Sequence, residues 1–307
     1  MRKAYLISAF KDPSHLGRLV SALDDGESNF YVHIDRKQAI QPYQEQCKGH
    51  NVVFLSNRVN VYWGTYSQVE FQMRLIHAAL NAGNRYERLF ILSGQDYPLW
   101  SNSRINDYLS QIGDEELLSG ICLENEDVSE EYKKIYRLYR PQTDLPILGS
   151  KFNDRLSKGI RKVAKLAGIR KPLYFEVDGC EWQLYKGSDY LCLSDELARY
   201  VYHTWANTPA IRHYFKSSFA PSETCIQTIV FNHPDYRKRA DLHQGDYTTL
   251  KDLTRLHHID YVPVIRVWKE GDFDELTASD KMFARKFETG TSDLLLNQID
   301  NQRNGND

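Results

Sequence analysis

The sequence predicts an α/β protein, a mixed but mostly parallel sheet flanked by helices, and three observations predict it. Short apolar runs with strand character alternate with amphipathic helical runs through the first half of the chain. The strand runs end in charged or polar turns, Asp35-Arg36-Lys37 and Ser93-Gly94-Gln95-Asp96. In open parallel sheets a ligand gathers at these carboxyl ends. Finally, 307 residues with 41% hydrophobic and 26% charged side chains suit a soluble chain with a sizeable core.

Residues 4–10 read as the first buried strand, and 14–23 as a helix capped by Ser14. Residues 29–35 and 51–55 are the next strands. Residues 67–83 form a long helix in which Val69, Met73, Ile76 and Leu80 recur at helical spacing and Gly83 closes the pattern. Residues 88–98 are a strand running into a polar turn, Ser103 caps the helix that follows, and 119–125 is a further strand. Residues 126–140 are a charged helix or loop. Residues 151–171 carry eight Lys/Arg against one Asp, with Phe152, Leu156, Ile160 and Val163 at helical spacing. Such a basic amphipathic helix suits an anionic membrane surface or a phosphate-bearing acceptor, and equally a solvated face over an apolar stripe. Residues 174–193 are rich in β-forming residues. A helix capped by Ser194 covers 194–205, and another begins at Glu223. No repeat or linker divides the chain. Residues 1–300 read as one domain and 301–307 as a frayed polar tail.

A net charge of −2 argues against a nucleic-acid binder. Cys47, Cys122, Cys180, Cys192 and Cys225 are odd in number and form no CxxC pair, so neither a disulfide framework nor a zinc site is expected. No apolar run approaches the roughly 18–20 residues that span a bilayer. The N-terminal apolar run is cut by Lys11 and Asp12, so it reads as a strand and not as a signal peptide.

Two motifs make chemical sense together. In APSETCIQTIVFN, Glu223 stands where a helix begins, and the helix dipole favours its anion. Such a carboxylate can deprotonate an attacking hydroxyl, or merely cap the helix. In FARKF, Arg285 and Lys286 offer two cations to a departing diphosphate, or form an ordinary surface pair. Together they describe displacement at a sugar carbon bearing a nucleoside diphosphate, without a metal. The D-x-D triplet Asp272-Phe273-Asp274 lies late, in a loop-like setting, and His257-His258 point to opposite faces of a strand. No metal or other cofactor is expected. Asp35 can accept from a uracil N–H, and Arg36 or Lys37 can reach phosphate. Trp63 in WGTYS is a sugar-stacking side chain. Ser93 and Asp96 close a strand end, and DGCEWQL brings Glu181 and Trp182, residues that also suit a solvated face and a core.

Seven blocks in order resemble the core-2/I-branching β-1,6-N-acetylglucosaminyltransferase and peptide O-xylosyltransferase family, glycosyltransferase family 14. They are YVHIDRK, WGTYSQVEFQMRLIHAAL, FILSGQDYPL, EWQLYKGSDYLC, APSETCIQTIVFN and SDKMFARKF, with LHHIDY as a departing seventh, and the resemblance as a whole runs from about residue 4 to 299. The resemblance implies a GT-A-like, Rossmann-like fold, a UDP-sugar donor carrying N-acetylglucosamine or xylose, a glycan or lipid-linked acceptor, inversion and no metal. It makes Glu223 the catalytic base, Arg285 and Lys286 the diphosphate clamp and Asp35 a uracil contact with Arg36 or Lys37 nearby. Ser93, Asp96, Glu181 and Trp182 would line the sugar and acceptor cleft beside Trp63. Thr65 replaces the family's second glycine after the tryptophan. His257 stands where the family often has an arginine on phosphate, with Arg255 and Arg266 as rivals. Eukaryotic relatives carry an anchor and disulfides. Their lack here suggests a bacterial cytoplasmic enzyme at the inner face of the membrane, building a surface polysaccharide. The rival classes are a sugar-binding protein without catalysis and a membrane-surface adaptor working through residues 151–171.

Overall fold

The alternation that makes strand β1 (Lys3–Ala9) also makes the two cores. Tyr5, Ile7 and Ala9 point into one apolar cluster, while Ala4 and Leu6 point into another on the opposite face. A strand buried on both faces is what a central parallel strand requires. A computed structural model describes residues 1–142, 144–145, 149–244, 253–261 and 264–305, and not the side chain of Ser150.

Along the chain β1 is followed by helix α1 (Pro13–Leu23), β2 (Asn29–Ile34), α2 (Gln41–Gln46), β3 (Val52–Phe54), α3 (Ser67–Leu80), β4 (Arg88–Ser93), β5 (Asp96–Pro98), α4 (Asn102–Gln111) and β6 (Ser119–Cys122). Next come α5 (Glu130–Tyr136), α6 (Ser150–Leu166), β7 (Tyr174–Val177), β8 (Cys180–Gln183), β9 (Tyr185–Gly187) and β10 (Leu191–Ser194). The last part holds α7 (Asp195–Asn207), α8 (Pro209–Phe215), α9 (Cys225–Phe231), α10 (Tyr236–Arg239), β11 (Asp241–Leu242), β12 (His257–Ile259), α11 (Phe273–Thr277), β13 (Phe283–Arg285) and α12 (Asp293–Gly305).

The main sheet runs β10-β4-β1-β2-β3. β4, β1, β2 and β3 are parallel, and β10 closes the edge antiparallel on β4. This is the mixed, mostly parallel, helix-flanked sheet that the sequence predicts. Helices α1, α4 and α12 cover one face and α3, α7 and α9 the other. Two three-stranded sheets lie beside it, β11-β6-β9 and β12-β13-β5. The strand at 119–122 therefore belongs to a side sheet and not to the main one.

Several local expectations shift. Asp12, in the left-handed region at φ 57°, caps α1 by accepting from the His15 N–H, so Ser14 does not. Ser101 and not Ser103 caps α4, accepting from the Arg104 N–H. Ser194 caps α7 as expected. The C-terminal residues through Gly305 are no frayed tail. They continue α12, where buried Arg303 donates to the Trp100 and Ala22 carbonyls. Glu223 ends a 3₁₀ turn, Pro221–Glu223, and Thr224 separates it from α9, so the short helix does not begin on it.

Gly120 and Gly187 face each other across the β6–β9 ladder. A Cβ on Gly187 would collide with the Ser119 carbonyl oxygen, and one on Gly120 with the Phe231 ring. Their bareness lets α9, and with it the turn bearing Glu223, approach the side sheet. Gly187→Ala is expected to cost about 3 kcal/mol of stability, as overpacking against backbone does, read by urea denaturation.

Candidate active site

A cavity of about 840 Å³ opens at the carboxyl ends of β1, β2 and β4. Ser8, Ala9, His33, Asp35 and Ser93 form its floor. Trp63, Asp189, Tyr190, Glu223, Tyr261 and Arg285 come in from loops and the side sheets. A second hollow, about 1160 Å³, shares no lining residue with the first and is edged by charges that already pair: Arg255 with Glu115 at 2.6 Å and Arg239 with Glu116 at 3.2 Å. The chemistry therefore sits in the smaller one.

Glu223 is placed by backbone geometry and by one cation. Ala220 takes a left-handed conformation at φ 41°, and its N–H donates to the Gly64 carbonyl at 3.1 Å. This ties the turn 221–223 to the loop carrying Trp63. The Lys186 ammonium, buried on β9, lies 2.8 Å from Glu223 Oε2 and also donates to the Gly187 carbonyl. A buried lysine, and not a helix dipole, balances this carboxylate.

Beside it lies a second carboxyl. Asp189 lines the same cavity. Burial above all, and then the charge of Glu223, push it up to about 7, while the Ser222 hydroxyl, Lys186 and Arg285 pull the other way. Lys186 and Asp189 are the residues that sequence reasoning missed. Both lie in the quoted run YKGSDY, but nothing in a strand-like run says which polar residue turns inward.

Arg285 is held by a buried network. β13 pairs antiparallel with β5, which places Arg285 opposite Asp96. Its Nη1 donates to Asp96 Oδ1 at 2.9 Å, and its Cζ stands 5.3 Å from the Tyr190 ring centre. Asp96 Oδ2 also accepts from the Ser93 N–H at 2.7 Å and meets His257 Nε2 at 3.0 Å. Burial raises the Asp96 carboxyl, but His257 and Arg285 outweigh it and hold the group below the usual carboxylate range. Arg285 Nε has no hydrogen-bond partner among the described residues.

The expected residues thus divide. Glu223, Arg285, Asp35, Trp63 and Ser93 line one cavity. Asp35 Oδ1 already accepts from the Lys37 N–H at 3.0 Å and its Oδ2 pairs with Lys37 Nζ at 3.0 Å, so Lys37 lines the cavity while Arg36 turns to solvent. Asp96 and His257 do not line it. Both are buried behind Arg285, with the His257 ring stacked on Phe283. Lys286 is not on the lining either: it and Lys11 share Glu288, at 3.3 and 2.7 Å. Of the two expected cations, Arg285 lines this cavity and Lys286 does not.

Glu181 and Trp182 are on β8 of a separate hairpin. Trp182 packs toward Phe175, and exposed Glu181 accepts from Gln183. The rivals are occupied as well, Arg255 by Glu115 and Arg266 by Asp260, Asp272 and Glu275. That last network also absorbs the acid at the head of the D-x-D triplet. Burial pushes His33 down to about 4, so this lining residue is neutral near pH 7.

A cavity at the carboxyl edge of a parallel sheet, with acids on one wall and a fixed guanidinium on another, has the groups that a group-transfer enzyme uses. The family described as "Core-2/I-Branching enzyme" matches residues 3–260, and the chain belongs to that family. It is 22% identical over 304 residues to a mouse N-acetyllactosaminide β-1,6-N-acetylglucosaminyltransferase, covering 95% of this chain and 70% of that one. It is 24% identical over 303 residues to rat xylosyltransferase 1, covering 95% of this chain but only 34% of that protein, about a third of its length. The crystal structure of the galactosyltransferase LgtC with donor and acceptor sugar analogs aligns with 95% of this chain and 88% of its own, at 10% identity and a TM-score of 0.41.

The Asp96 network carries a stability prediction. Its lowered carboxyl contributes stability that is full above the unfolded value, about 3.9, and is lost as pH falls through the folded value. Asp96→Asn is expected to cost about 3–5 kcal/mol at neutral pH, the scale of a broken buried pair. The gap to wild type should narrow below roughly pH 4. Urea denaturation at neutral and acid pH measures both.

Proposed function

We propose that the protein transfers a sugar from a UDP-sugar to a hydroxyl of a glycan or lipid-linked saccharide, with inversion and without a metal. The observation that carries this reading is that Glu223 and Arg285, far apart in sequence, line one cavity. Glu223 takes the proton of the acceptor hydroxyl as its oxygen attacks the anomeric carbon. The bond from that carbon to the β-phosphate oxygen breaks, and its electron pair leaves with UDP. Lys186 aims the carboxylate, and Arg285 meets the charge growing on the diphosphate. A fixed cation in a cavity needs no reorganisation at that moment. Asp35 and Lys37, which line the same cavity, would take the nucleoside end. The mouse and rat relatives are named for N-acetylglucosaminyl and xylosyl transfer, and these are the two donor sugars we expect. The acceptor chemistry suits assembly of a surface polysaccharide.

One observation favours a second reading of the base. Asp189, pushed up to about 7 beside Glu223, also suits proton abstraction near neutrality.

The test is turnover of UDP-N-acetylglucosamine and UDP-xylose in EDTA, where the rate should equal that without chelator. A rate abolished by EDTA and restored by a divalent ion refutes the metal-free reading. Glu223→Gln should lower kcat about 10³-fold, within the range of general-base losses, with UDP affinity unchanged. If Asp189→Asn gives that loss and Glu223→Gln does not, the base is Asp189.

The ionisation of Asp189 beside Glu223 strengthens the local base. The wild-type kcat/KM should therefore rise with pH through about 7, and that step should vanish in Asp189→Asn. A step that survives the substitution belongs to another group.

A further inference from the structure

Helix α6 is built inside out. Its polar and small residues Asn153, Ser157 and Ala164 face the protein and are buried. Asn153 brackets Leu145 with two hydrogen bonds, accepting from its N–H at 3.0 Å and donating to its carbonyl at 3.1 Å. Arg161 donates to the Pro141 carbonyl at 3.1 Å. The apolar stripe points outward instead. Phe152 is 54% exposed, Val163 66% and Leu166 80%, with Leu156 and Ile160 exposed between them. At about 100° per residue these five share one face, roughly 120° wide.

A basic stripe runs alongside. Lys151, Arg155, Lys158, Lys162 and Lys165 fall next to the apolar face on the side away from the body, all exposed. The one acid on the helix, Asp154, is taken by Lys158 at 2.7 Å. Residues 151–171 carry +7 in a chain of net charge −2, so the remainder carries −9.

We propose that α6 seats the protein in the interface of an anionic lipid bilayer, apolar stripe in the acyl boundary and lysines on the headgroups. Charge selects this occupant over a second copy of the chain. A two-fold contact through α6 would set like basic stripes against each other, whereas an anionic surface complements the stripe. The same surface repels the negative remainder and so fixes one orientation. At about 25 Å long, α6 lies in the plane of the membrane, and among the described residues no helix is long and apolar enough to cross one.

The helix is also linked to the cavity rim through the segment that precedes it. Leu145 and Asp144 precede it, and Asp144 accepts from Asn60 at 3.2 Å and from the Tyr62 hydroxyl at 3.3 Å. Val61 and Trp63, next in chain, line the cavity, and Trp63 is 76% exposed. A seated α6 therefore sets the cavity mouth beside the bilayer surface, within reach of an acceptor anchored in lipid. The seating itself does not depend on the sugar chemistry.

Flotation with vesicles tests it. The full chain should partition onto phosphatidylcholine vesicles containing phosphatidylglycerol, weakly onto phosphatidylcholine alone, and less in high salt. Phe152→Ser with Val163→Ser, and separately Lys151→Ala with Lys162→Ala, should each lower partitioning roughly tenfold or more. Both pairs are exposed, so melting temperature and vesicle-free donor hydrolysis should stay at wild-type values. The proposal is overturned by no partitioning onto the mixed vesicles, by equal binding to both compositions, or by partitioning that the apolar pair leaves intact. It is also overturned by a dimer in sedimentation velocity that the Val163→Ser change dissolves.

Discussion

The arrangement hangs on one buried carboxylate. Asp96 has no exposed surface, yet it ties three stretches of chain: the turn after β4 through the Ser93 N–H, β12 through His257 and β13 through Arg285. A lone anion at that depth would be prohibitively costly. Two cationic or ring partners and a backbone N–H offset the cost, and in doing so they fix the guanidinium at the cavity wall. The side sheet β12-β13-β5 exists to make this meeting possible. Its register puts Arg285 opposite Asp96, and no loop could hold a long side chain as firmly.

On the facing wall the logic repeats with the signs exchanged. Lys186 is as deeply buried as Asp96, and its ammonium is answered by Glu223 and the Gly187 carbonyl. Burial above all, and then the charge of this neighbouring acid, hold the Asp189 proton more tightly. Two carboxyls in one cavity are thus set apart, one paired with a lysine and the other raised by burial and by its neighbour, which is how one site separates roles between like groups.

Most of the frame was legible in the sequence because burial on two faces leaves unbroken apolar runs, and because helices announce themselves by period. β1, β2, β4, α3 and α7 fall where these signals put them. Caps were less legible: serines at 14 and 103 compete with better-placed oxygens at Asp12 and Ser101, and only the chain's entry angle decides between them. In the site, Glu223, Arg285 and Asp35 were found as motifs. Asp96 and His257 were found too, but as ligand contacts; their work behind Arg285 depends on strand register between segments about 160 residues apart. Lys186 and Asp189 left no local trace, since their importance comes from which side of a short strand and turn faces inward.

The 3.1 Å bond from the Ala220 N–H to the Gly64 carbonyl has a mechanical meaning. It joins the loop carrying exposed Trp63 to the turn carrying Glu223, and both side chains line the cavity. The spacing between the indole and the carboxylate is therefore tied through the backbone and does not rest on side-chain rotamers alone.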